Sequence, residues 1–102
     1  MPIYTLLDVE TVVDDTTGTV VTGAGKLASN NEGLVQAEVT VSDATIRIDG
    51  RMTDNATWTA VDATAYTAGT DGAIRVALFP QMRARVTDRA GSVTALVNLY
   101  TT

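Results

Sequence analysis

The chain of 102 residues contains no cysteine and no histidine. Without cysteine there are no disulfide staples and no thiolate metal sites, which excludes a disulfide-rich secreted scaffold. Without histidine there is no ordinary general base near neutral pH, and the commonest metal ligand is missing. Ser-His-Asp and Cys-His chemistry are excluded, along with most zinc sites. Aromatics are scarce, with one Trp, three Tyr and one Phe, and proline occurs only twice. The opening "MPIYTLLDVE" has no basic region and no long apolar run, so it does not read as a signal peptide. No segment is long enough to span a membrane as a helix. The expectation is a protein made in a cytoplasm, with no membrane partner.

Cationic charge is also scarce. The formal net charge is −5, against general nucleic-acid binding. The imbalance is uneven. Residues 1–43 hold Asp8, Glu10, Asp14, Asp15, Glu32, Glu38 and Asp43 against Lys26 alone. Residues 44–102 hold six arginines against five aspartates. Arginine is suited to interfaces, because its planar fork pairs carboxylates at two points and is weakly hydrated. An acidic first part and an Arg-bearing second part are expected to attract, within one subunit or between copies.

What is abundant is Thr, Val and Ala in period-two alternation, the mark of half-buried strands. "LVQAEVTV" sets Val35, Ala37, Val39 and Val41 on one face. "ATIRIDGRM" sets Ile46, Ile48 and Met52 inward and Thr45, Arg47, Asp49 and Arg51 outward. "AIRVALF" and "MRARVT" repeat the pattern, with Arg83 and Arg85 outward in the second. "VTALVNLY" is apolar on both faces, so it is central in a covered sheet or faces a partner. Turn clusters such as Asp54-Asn55 and Gly69-Thr70-Asp71-Gly72 punctuate these runs, and Pro80 marks a break or a crossing between sheets. The length suits one domain. The expectation is a single all-β domain over residues 1–102, an antiparallel β-sandwich of about eight short strands. Residues 1–12 are expected as an N-terminal arm or an extra strand.

Few residues invite chemistry. Asp14-Asp15 are adjacent carboxylates, but their Thr/Gly-rich setting reads as a solvated turn. "TDGAIRV" and "MTDNATW" lack the dense acidic spacing of a calcium loop. Gly-Ala-Gly-Lys at residues 23–26 lacks the phosphate-loop spacing. "NAT" at Asn55 matches a glycosylation sequon and reads as chance. No enzyme activity, metal or cofactor is expected. Trp58 remains. It is either a platform for a sugar, together with Tyr66, or a plug for one end of the core. Thr57 and Thr59 are natural outward residues and the core is short of aromatic volume, so the inward placement is favoured.

The order of these elements resembles small β-sandwich proteins of tailed bacteriophages. An alternating strand "ATIRIDGRM" leads through an Asp/Asn turn to "TWTAV", then "DGAIRVALFP", "MRARVT" and a closing "SVTALVNLY" after Gly91. The resemblance runs from Tyr4 to Tyr100. It implies a jelly-roll-like fold and a structural role as a capsid decoration (cement) protein. On that reading the chain forms a homo-oligomer, with a trimer favoured. It sits on the outer surface of the virion capsid and bridges major capsid protein subunits. Tyr4, Leu6 and Leu7 are expected as one contact region, because they lie outside the best-patterned core. Arg75, Arg83 and Arg85 are expected to pair with the acidic N-terminal part across a subunit boundary. The alternative is a tail or fibre module that binds host glycan through Trp58 and Tyr66.

Overall fold

The computed structural model describes residues 3–12, 16–17, 21–22 and 32–100. Among these residues, nine strands run in chain order: β1 (Ile3–Val12), β2 (Thr16–Thr17), β3 (Val21–Thr22), β4 (Glu32–Thr40), β5 (Ala44–Arg51), β6 (Thr59–Tyr66), β7 (Thr70–Ala77), β8 (Gln81–Thr87) and β9 (Val93–Tyr100). Seven are full strands, and β2 and β3 have two residues each. They form two sheets. The first has the order β1-β9-β4-β7. The second is built on β8-β5-β6, with β2 and β3 both paired along the remaining edge of β8. Every pairing is antiparallel. The expected β-sandwich is therefore present, and the N-terminal segment is an extra strand rather than an arm.

Alternation builds the core. From the first sheet, Val35, Ala37 and Val39 of β4 meet Val93, Ala95, Val97 and Leu99 of β9. From the second come Ala44, Ile46 and Ile48 of β5 and Met82, Ala84 and Val86 of β8. Each inward Val, Leu or Ile contributes roughly 1.5–3 kcal/mol relative to full exposure. β9 is central, between β1 and β4; its inward residues are buried and its outward ones half-buried. Pro80 lies where expected, in the passage from β7 in one sheet to β8 in the other.

Five placements differ from the sequence reading. Leu6 and Leu7 are both in the core, at 0% and 2% exposure. A register shift between Thr5 and Leu7 breaks the alternation and lets two consecutive side chains face inward. A buried side chain offers a partner no surface, so neither leucine is a contact residue in this fold. Tyr4 packs half-buried against the same core. Met52 and Val41 are exposed, at 63% and 71%, because each lies just beyond the end of its strand. The inward position ahead of Met52 is Gly50, and Phe79 occupies the space a side chain there would need. Phe79, not Trp58, is the aromatic packed at that end of the core.

Candidate functional site

The outer face of the second sheet carries the densest polar cluster among the described residues. β5 and β8 pair so that Arg47 faces Arg85, Asp49 faces Arg83 and Arg51 faces Gln81. Alternation sends all six of these side chains to the side away from the core. Two arginines brought directly opposite would repel across the strands. Asp49 relieves this. Its Oδ2 accepts from Arg83 Nε at 2.9 Å and from Arg85 Nε at 2.6 Å, and its Oδ1 accepts from Arg85 Nη2 at 3.3 Å. The Asp49 side chain is only 3% exposed although it points outward, because the two arginine side chains cover it. A carboxylate buried this deeply requires such partners, and charge-assisted bonds are about twice as strong as neutral ones.

The flanks of the cluster are also held. Arg47 donates from Nε to Thr87 Oγ1 at 2.9 Å and from Nη2 to Asp88 Oδ2 at 3.2 Å. That pairing is the first cause of a lowered Asp88 pKa, with a hydrogen bond from Thr87 adding to it. Arg51 donates from Nε to Gln81 Oε1 at 2.6 Å, and Gln81 in turn donates to Asp54 in the β5–β6 turn.

Trp58 completes the site from outside the core. The guanidinium carbons of Arg51 and Arg83 lie over its ring, 4.3 Å and 4.2 Å from the centroid. This is cation–π distance. The reason for the outward placement is visible in the pairing of β5 with β6. Ile48 faces Asp62 but Asp49 faces Ala60, so Val61 is an extra residue. The bulge leaves Ala60 beside outward Asp49 and Thr59 beside inward Gly50. The favoured inward reading of Trp58 is thus corrected. The hairpin itself is as expected, closed by Ala56 N–H donating to the Thr53 carbonyl.

The other expected residues lie elsewhere. Tyr66 is buried under the β6–β7 edge, and its ring is 3.1 Å from where a Cβ on Gly72 would stand. It shares no surface with Trp58, so the two do not form one platform. Burial raises its phenol pKa, and the nearby Asp62 charge adds to the shift. Arg75 faces Leu34 on the outside of the first sheet, on the opposite side of the sandwich from Arg83 and Arg85. Among the described residues, the acid that Arg83 and Arg85 hold is Asp49, from the same half of the chain. Side chains of Asp8, Glu10, Asp14 and Asp15 lie outside the described residues.

Sequence reasoning missed Arg47, Asp49 and Arg51 as site members. The signal was there as two alternating motifs, Arg-x-Asp-x-Arg at residues 47–51 and Arg-x-Arg at residues 83–85. What was missing was the register that interleaves them. Among the described residues, no three His, Cys, Asp or Glu side chains gather as a metal ion would need. Comparison of the chain with protein-family models, curated proteins and solved structures found no match.

Proposed function

We propose that this chain is a structural virion protein that decorates a bacteriophage head, bridging neighbouring major capsid protein subunits. The observation that carries the reading is the strand order. Thr17 pairs with Arg85 and Val21 with Met82, so four steps along one strand cover three on β8. Both β2 and β3 pair with β8 along the same edge, and they are taken together as one edge strand. Counted this way there are eight strands, ordered 1-8-3-6 in one sheet and 2-7-4-5 in the other. We read this order as that of a double-sheet jelly roll, an architecture used by viral capsid and lectin domains. Fold alone does not define function. The second support is therefore the site: a rigid sheet face presenting arginines beside a tryptophan, the residue types enriched at binding hot spots.

The physical logic is additive. A small sandwich seated where shell subunits meet adds buried area at each joint. Many copies on one lattice then stabilise the shell with modest contacts each. A homotrimer is the arrangement favoured by the resemblance. Deleting residues 1–10 would not test the docking surface, since it removes an edge strand and two core leucines. The direct test adds the purified full chain to heads of the parent phage that lack it. Saturable occupancy in electron micrographs, at fixed positions on the lattice, is expected. Empty heads at saturating protein would sink the proposal.

One observation favours a second reading, a glycan-binding module. Trp58 lies outside the core, half-buried at the surface. Its emission would then shift on titration with host-surface glycans. The leading reading expects no change with neutral sugars.

A further inference from the structure

We infer that the outer face of β5 and β8 is a docking surface for carboxylates on an acidic protein partner. The inference deepens the reading above by naming the face and the chemistry of its partner. It rests on that reading for the partner's identity only. The chain as a whole is acidic, yet four of its six arginines, Arg47, Arg51, Arg83 and Arg85, share this one face. Among the described residues, Asp49, Asp54 and Asp88 stand against them. The face is cationic on an anionic body, so charge complementarity selects an acidic partner.

Charge alone would attract any anion. The arrangement is more selective. Asp49 takes the Nε–H of both Arg83 and Arg85, and one Nη2 hydrogen of Arg85. Gln81 takes the Nε–H of Arg51. Arg51 and Arg83 are further fixed by cation–π contact with the Trp58 ring. A guanidinium held at Nε and over a ring keeps its terminal N–H groups in plane and pre-oriented. Those groups match the two oxygens of a carboxylate. Ordering four long side chains in advance removes an entropic cost that binding would otherwise carry. Asp49 acts as a positioning residue. It is buried under the arginines and reaches no partner itself.

An acidic protein surface fits this face better than a glycan. A sugar would need a ring face of Trp58 for stacking, and the two guanidinium groups lie over that ring. The site is also a row of cross-strand pairs, Arg47–Arg85, Asp49–Arg83 and Arg51–Gln81, running along two neighbouring strands of the sheet. It matches a line of carboxylates spaced along a partner.

The test is a titration of the full chain with a hexaglutamate peptide, read from the arginine Nε–H signals by NMR at low salt. Shifts at Arg47, Arg51, Arg83 and Arg85 are expected, weakening as salt rises, with none at Arg75. Arg83→Lys keeps the charge and loses the fork, and binding should fall at least about fivefold. Asp49→Asn makes the face more positive, yet should also weaken binding, because Arg83 and Arg85 lose their anchor. If Arg83→Lys binds as well as the parent, the face is only a charge and the inference is overturned. It is also overturned if hexaglutamate shifts none of these signals, or if polygalacturonate binds here while hexaglutamate does not. The two proposals fail separately. Bare phage heads with intact hexaglutamate binding would reject the decoration role alone. Decorated heads whose occupancy is unchanged by Arg83→Lys would reject this face alone.

Discussion

Val41 carries a backbone φ of 79° just after β4. This is left-handed backbone, where a β-branched side chain is strained by about 1–2 kcal/mol. Its side chain is 71% exposed, so little packing offsets the strain. The backbone is kept there because the turn it opens makes long-range bonds. Asp43 accepts from Ala68 N–H through Oδ1, at 2.8 Å, and from Ala90 N–H through its carbonyl, at 3.0 Å. Val41→Gly should therefore raise stability by about 0.5–1 kcal/mol, the strain relieved less the entropy of a glycine. Urea unfolding would read this as a higher midpoint with unchanged slope. No residue-scale reading of "VTVSD" in the sequence reaches this result. Alternation puts Val41 on the inner face, and only the strand's end at Thr40 takes it out.

At the scale of the element, the β5–β6 hairpin shows what alternation can and cannot reveal. Its two strands and its turn are legible in "ATIRIDGRM" and Asp54-Asn55. The single bulge at Val61 is not, because a bulge has no composition of its own and reverses every face beyond it. Trp58 and Ala60 share a face, as alternation requires, but the face is the outer one. On the inner face the close contact is between Gly50 and Phe79. A Cβ on Gly50 would stand 2.3 Å from the Phe79 ring. Gly50→Ala, ordinarily favourable in a strand, should here cost about 1–3 kcal/mol through overpacking. A double-mutant cycle with Phe79→Ala checks the cause. The two changes should be less damaging together than their separate effects predict. Simple additivity would locate the cost elsewhere.

At the scale of the whole molecule, two groups set opposite pH limits on stability. The hydrogen bond from Arg47 lowers the Asp88 pKa below its ordinary 3.8. A group lowered in the folded state stabilises the fold above its unfolded pKa and stops doing so as pH falls through the folded value. That contribution is lost in acid, below about pH 4. Tyr66 behaves in the opposite sense. Burial, then Asp62, raises its pKa above 10.0, so its contribution is complete below pH 10 and is lost as pH rises further. Unfolding midpoints measured from pH 7 to 11.5 should fall in the alkaline range, and Tyr66→Phe should flatten that fall. An unchanged alkaline limb in the variant would assign the loss to another group.

Composition and period-two alternation were enough to establish strands, a sandwich, and most of its inward residues. A half-buried strand needs only local chemistry, an apolar residue at every second position. The missing histidine and cysteine likewise narrowed the chemistry without any structure. Three things came only with the tertiary fold. Leu6 and Leu7 entered the core because of a register shift in β1. Trp58 left it because of the bulge in β6. Arg47, Asp49, Arg51, Arg83 and Arg85 became one site because β5 and β8 pair in a particular register. All three depend on which residue lies opposite which, across 34 positions of chain in the case of Asp49 and Arg83. Register is a property of two strands in contact, and no single strand's sequence contains it.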